Sequence, residues 1–129
     1  MILIDSSVWI DFLQSTHSKV QGPLSELIRV PDLIGIPGPV IQEVLQGVQD
    51  DGDFQHVLDR LCWFPIKQPD TDTYLAAARL YRVLARKGLT IPPGDVMSAA
   101  LAIQHECVLY TLDQHFERIR QHSSLRLRA

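Results

Sequence analysis

Four acidic residues, Asp5, Glu43, Asp95 and Asp113, each stand at or beside the end of an apolar run. Asp5 follows Met1-Ile2-Leu3-Ile4, Asp113 comes shortly after Cys107-Val108-Leu109-Tyr110, and Asp95 opens an almost wholly apolar stretch. These three fall at predicted strand-to-helix junctions. In a parallel sheet such junctions gather outside the carboxyl ends of the strands, where ligands bind. Carboxylates crowded there repel one another and resist ionisation unless a cation neutralises them, so the chemistry they invite is that of a hard divalent metal. Helix capping alone would account for Asp5, Asp95 and Asp113, because an Asp side chain accepts a backbone N–H of the first turn. It leaves Glu43 unexplained, which falls inside a predicted helix between Val40 and Val44.

The elements that must carry these acids follow from hydrophobic periodicity. Residues 1–4 read as a buried strand, followed by a helix from Ser6 to Gln14 with Val8, Trp9, Phe12 and Leu13 as its apolar stripe. A helix over Pro23 to Val30, a strand from Leu33 to Ile36 and a helix prepared by Pro37 and Pro39 and running to Gly47 come next. The spacing of Phe54, Val57, Leu58, Leu61 and Cys62 predicts a helix over Asp53 to Trp63, with a brief strand from Phe64 to Ile66. Asp70 to Lys87 is the longest predicted helix, ended by Gly88. Val96 to Ile103 is apolar on nearly every side and is expected to be a central buried helix, with Asp95 ionised at its positive end. A strand over Cys107 to Thr111, a helix over Gln114 to Gln121 and an edge strand over Leu125 to Leu127 complete an α/β sandwich with a mainly parallel sheet.

At 129 residues and 46% hydrophobic content, the chain fits one compact domain spanning residues 1–129, with no internal repeat. No run reaches the roughly 18 apolar residues of a membrane span, and the first apolar residues are too few for a secretory segment, which points to a cytoplasmic protein. Cys62 and Cys107 belong to no Cys/His cluster and are expected to be reduced core thiols. A net charge of -3 argues against a generally basic nucleic-acid surface. The charge is uneven, however. Arg79, Arg82 and Arg86 recur at helical spacing and could form a local phosphate-tracking face, while Arg118, Arg120, Arg126 and Arg128 crowd the C-terminal segment.

With these residues in place, the chain resembles the PIN domain family, and within it the VapC-type ribonuclease toxins of bacterial toxin–antitoxin pairs. The resemblance spans essentially the whole chain. It rests on Ile2-Leu3-Ile4-Asp5-Ser6-Ser7-Val8-Trp9-Ile10, Pro39-Val40-Ile41-Gln42-Glu43-Val44-Leu45-Gln46-Gly47, Gly94-Asp95-Val96-Met97-Ser98-Ala99-Ala100 and Leu109-Tyr110-Thr111-Leu112-Asp113-Gln114-His115-Phe116. It implies a PIN-like three-layer α/β/α sandwich and an endoribonuclease dependent on Mg²⁺ or Mn²⁺. Asp5, Glu43, Asp95 and Asp113 match the family's acidic quartet, with Ser6, Ser7 and Thr111 keeping hydroxyls beside it. His115 departs from the family, many members of which carry another acid there, and a second metal would be held less firmly for it. The resemblance further implies a tRNA, rRNA or mRNA substrate, a homodimer, and a small VapB-type antitoxin. Trp9, Phe12 and Leu13 offer more bulky apolar area than so short a helix must bury, and are the candidate docking surface for that antitoxin.

Other readings fit the sequence less well. A phosphatase of similar build would want a second Asp where Ser7 stands, and a receiver domain would want an acidic pair after the first strand and a late lysine. Metal-free RNA cleavage would need His115 paired with His105 or His122. A non-catalytic PIN domain that binds RNA or protein is the remaining alternative, and the intact quartet argues against it.

Overall fold

A computed structural model describes residues 1–14 and 20–128. Five strands, β1 (Ile2–Ile4), β2 (Ile34–Pro37), β3 (Ile66–Lys67), β4 (Val108–Tyr110) and β5 (Arg126–Leu127), form one sheet in the order β3-β2-β1-β4-β5. Every pairing is parallel. Helices α1 (Ser6–Gln14), α2 (Gln21–Ile28), α3 (Gly38–Leu45), α4 (Asp51–Leu61), α5 (Thr71–Arg86), α6 (Pro93–Gln104) and α7 (His115–Arg120) make the crossovers. Among the described residues no helix is long and apolar enough to cross a membrane.

Strand side chains alternate between faces, and the core divides accordingly. Leu3 and Leu109 point into a cluster with Leu84 of α5, Ala99 and Leu101 of α6, and Phe116 and Ile119 of α7. Ile4, Ile34, Ile36 and Tyr110 point into the opposite cluster with Val8 and Trp9 of α1, Leu24 of α2, Val40 and Val44 of α3, and Leu61 of α4. This is the expected three-layer sandwich. The chain runs from β1 outward through β2 to β3, then returns to the other side of β1 for β4 and β5. The direction of winding therefore reverses between β1 and β4. At such a switch point the connections diverge and leave a crevice at the strands' carboxyl ends.

The long helix α5 is fixed at both ends. Asp70 accepts from the Thr73 backbone N–H at 2.9 Å and from Gln104 Nε2 at 3.1 Å, and these bonds, led by that to Gln104, hold its carboxyl down to about 2. At the other end Gly88 takes φ 78°, with Leu89 N–H donating to Leu84 O and Gly88 N–H to Ala85 O, the pairing of a Schellman stop. The α5 terminus thus turns back and delivers the chain to Pro93 at the start of α6.

Several boundaries differ from the expectation. The second helix covers Gln21–Ile28, and a 3-10 turn at Pro31–Leu33 takes the start of the expected strand. Pro37 closes β2, so α3 starts at Gly38 and ends at Leu45, two residues before Gly47. The fourth helix starts at Asp51, because Asp50 accepts the Asp53 N–H and caps it. Only Leu61 of its apolar stripe is buried, and Phe54 is exposed. Cys62, expected in the core, is exposed: it follows the last turn of α4 while Leu61 and Phe64 take the buried positions. Cys107 is buried as expected.

Candidate metal centre

The site is built at the switch point. Leu3 and Ile4 of β1 lie level with Leu109 and Tyr110 of β4, and the Asp5 N–H extends that ladder by donating to Tyr110 O at 2.9 Å. Asp5 and Thr111 are thereby brought side by side although 106 residues separate them. Asp5 is only 3% exposed. Its Oδ2 accepts from Ser7 Oγ at 2.7 Å and from Thr111 Oγ1 at 2.9 Å. Each of those hydroxyls in turn accepts a backbone N–H, Ser7 from Leu112 and Thr111 from Asp113, both at 3.0 Å. A hydroxyl has one hydrogen to give. Both are therefore spent on Asp5, and the 3.2 Å contact between Ser7 Oγ and Thr111 Oγ1 is juxtaposition.

Glu43 enters from α3, where the helix carries it across to the start of α1, and Ser6 Oγ donates to its Oε2 at 2.8 Å. Its other oxygen lies against Gly94, where an added Cβ would come within 3.5 Å of Oε1. Asp95 sits in the first turn of α6, the third residue of a helix that begins at Pro93 rather than at Asp95 itself. Asp113 precedes α7 and accepts the His115 N–H on Oδ1 at 2.9 Å. The capping reading thus holds in part for Asp113, and for Asp5 only through a long 3.4 Å contact with the Ser7 N–H. It does not hold for Asp95.

His115 closes the cluster. Its Nδ1 lies 3.0 Å from Asp95 Oδ2 and 3.3 Å from Asp113 Oδ1, with the side chain 40% exposed. One oxygen from each of these carboxylates and one ring nitrogen of His115 all lie within 4.8 Å of one another.

The electrostatics follow from the crowding. Burial is the largest influence on Glu43 and raises its pKa; Asp5 and Asp95 push the same way against the opposing Ser6 bond. Burial likewise raises Asp95, reinforced by Asp113 and Asp5 and opposed by the hydrogen bond to His115. Asp95 does sit in the first turn of α6, where the helix terminus favours the anion, while desolvation and two neighbouring carboxylates act in the opposite direction. Asp95 is thus within electrostatic reach of Asp5, Glu43 and Asp113, while the compact donor cluster comprises Asp95, Asp113 and His115, with Asp5 and Glu43 outside it; such a set suits a divalent cation, which would relieve the repulsion.

Of the arginines, Arg79, Arg82 and Arg86 are exposed on α5, on the side facing away from the stripe of Thr73, Ala77 and Leu84 that packs inward. Arg82 borders a shallow apolar depression with Tyr74, Tyr81, Pro93 and Met97, so it lies by the turn that carries Asp95. Three of the C-terminal arginines have structural work. Arg120 pairs with Glu117, Arg126 donates to Glu106 O at 2.6 Å, and Arg128 stacks 4.6 Å over the Tyr110 ring.

The residues expected to dock a partner do line a groove, of about 390 Å³, between α1, α2 and α4. Trp9 itself is buried and packs edge-on against Phe12, so Phe12 and Leu13 are the half-exposed part of that face. Trp63, which sequence reasoning passed over, stands 80% exposed at the groove. The signal was the run Cys62-Trp63-Phe64 after a helix: only one of its two aromatics can turn inward, and Phe64 does.

Comparison with known proteins identifies the family and the fold. The PIN domain family matches residues 2–121. Ribonuclease VapC11 of Mycobacterium tuberculosis is 32% identical over 129 residues, covering 97% of this chain and 96% of its own. Among solved structures, VapBC from Salmonella typhimurium bound to DNA superposes with a TM-score of 0.83 at 20% identity, over 98% of this chain and 96% of that one. FitAcB from Neisseria gonorrhoeae gives 0.80 at 20% identity, over 100% and 97%. The chain belongs to the PIN domain family, in its VapC group.

The raised Glu43 carboxyl has a measurable consequence for stability. A folded-state pKa above the unfolded value means that the folded protein holds the proton more tightly, so stability is lost as pH rises through the unfolded and then the folded value. Glu43→Gln keeps an acceptor for Ser6 and removes the charge. In chelator it should melt higher than the parent at pH 7, with the gap closing toward pH 4, as read by thermal denaturation. A variant that melts lower at pH 7 would contradict the crowding described here.

Proposed function

We propose that this chain is a metal-dependent endoribonuclease, the toxin of a VapBC-type pair, acting on tRNA, rRNA or mRNA in the cytoplasm. The observation that carries the reading is the convergence of Asp5, Glu43 and Asp113, from three separate segments, within electrostatic reach of Asp95 on a fourth, next to His115. Asp95 and Asp113, with Asp5 and Glu43 beside them, would hold Mg²⁺ or Mn²⁺. When bound, the cation neutralises the carboxylates, polarises the scissile phosphate and makes water a better nucleophile. Asp5 is kept in one orientation by the Ser7 and Thr111 hydroxyls, which leaves Oδ1 as its free oxygen. Glu43, with one oxygen bonded by Ser6 and the other left free, would take the proton of the attacking water. Water adds to phosphorus, the bond to the 3′ oxygen breaks, and that oxygen takes a proton, giving 5′-phosphate and 3′-hydroxyl ends. Arg79, Arg82 and Arg86 would follow the RNA backbone. The rival histidine mechanism is disfavoured because His105 lies past the far end of α6, roughly 18 Å along a helix of this length, and His122 lies past the far end of α7, about 10 Å of helix rise from His115.

Several relatives of known structure are VapBC assemblies. This chain accordingly would pair with a VapB-type antitoxin and form a homodimer. The groove bordered by Phe12, Leu13 and Trp63 suits an apolar segment of the antitoxin, and its α1 wall begins at Ser6 and Ser7, inside the acidic site. A segment seated there could also aim a basic side chain at the carboxylates.

Two outcomes test this reading. Purified protein should cut RNA only with Mg²⁺ or Mn²⁺, leave the ends named above, and lose at least about a hundredfold in rate on Asp5→Asn or Asp95→Asn with the fold retained, a loss of the size expected for groups acting in the transition state. Cleavage that survives chelator, or cyclic phosphate ends, would sink the mechanism. Co-expression with the neighbouring small open reading frame should give an inactive complex containing two toxin chains by light scattering. Leu13→Ala and Trp63→Ala should each weaken it about tenfold or more, as buried apolar anchors do. Folded variants with parental affinity would place the antitoxin elsewhere.

A further inference from the structure

The position of His115 bears on which cation the site takes, an inference that rests on the metal-dependent reading above. Its ring is held by two features. The His115 backbone N–H is bonded to Asp113 Oδ1 at 2.9 Å, and Nδ1 faces Asp95 Oδ2 at 3.0 Å and Asp113 Oδ1 at 3.3 Å. As the Nδ1–H tautomer the ring donates to Asp95 Oδ2, with Asp113 Oδ1 in ion-pair range. As the Nε2–H tautomer it presents a lone pair from the same position, beside the same two oxygens.

The spacing matters. Ligands about 2.1 Å from an octahedral ion lie about 3 Å apart along an edge, and both contacts of Nδ1 are close to that length. Two carboxylate oxygens and one imidazole nitrogen within 4.8 Å of one another can therefore share a single ion with little rearrangement. A carboxylate at position 115 would give an all-oxygen set; an imidazole does not. Mg²⁺ binds oxygen almost exclusively, whereas nitrogen ligands favour the first-row transition ions.

We propose that His115 is a direct nitrogen ligand of the cation, and that it makes the site prefer Mn²⁺ over Mg²⁺. The carboxylate majority keeps the site within reach of Mn²⁺, which accepts both donor types.

The test uses untagged protein with Mn²⁺ alone. Pulsed electron paramagnetic resonance of the Mn²⁺-loaded parent should show modulation from one directly bonded nitrogen, absent in His115→Asp. Calorimetric titrations with Mn²⁺ and with Mg²⁺ should find the Mn²⁺:Mg²⁺ affinity ratio lowered about tenfold or more by His115→Asp. Bound Mn²⁺ without nitrogen modulation in the parent, or an unchanged ratio in a folded variant, would overturn the inference while leaving a metal-dependent nuclease intact. Failure of the parent to bind either ion would overturn both.

Discussion

Carboxylates that share a half-buried crevice repel one another, and the fold must hold them together against that force. The tie between β1 and β4 supplies the holding. Two hydroxyls, Ser7 and Thr111, give their only hydrogens to one oxygen of Asp5 and receive backbone N–H groups from Leu112 and Asp113. Asp5 and the Asp113 loop are thus joined into one unit, which lets the Asp5 carboxyl stay 3% exposed with its Oδ2 hydrogen-bonded. Glu43 and Asp95 lack so complete a set of donors, and burial with neighbouring charge raises both.

The same geometry relates catalysis to control. Helix α1 starts in the acidic crevice at Ser6 and Ser7, and two turns later contributes Phe12 and Leu13 to the apolar groove. An occupant of that groove would lie against the helix whose first turn orients Asp5 and Glu43. No long-range transmission is required, because the proposed antitoxin surface and the proposed metal site are two ends of one helix.

Much of the site was legible because the acids sit where elements change. Apolar runs followed by Asp marked the ends of β1 and β4, and a helical position between Val40 and Val44 placed Glu43 on α3. The helix terminus at Asp95 was legible from sequence, whereas the desolvation and neighbouring charge that act against it come from Asp113 and Asp5, residues distant in the chain. The hydroxyl tie was visible only as two hydroxyl-bearing residues near acids, because its partners are more than 100 residues apart. Cys62 and Trp63 were missed for a related reason. A short apolar run after a helix states how much could be buried, and only packing decides that Leu61 and Phe64 take the space. His115 stood out as a departure from the family, but its meaning lay in the 3.0 Å approach to Asp95, which comes from a different helix.

The central claim is that these carboxylates are gathered to hold a divalent ion. Crystals grown in Mn²⁺ and measured on either side of the manganese absorption edge test it most directly. The expected result is an anomalous peak in the crevice within bonding distance of Asp95 and Asp113. A crevice without a peak at saturating Mn²⁺, with His115 Nδ1 still bonded to Asp95, would contradict it.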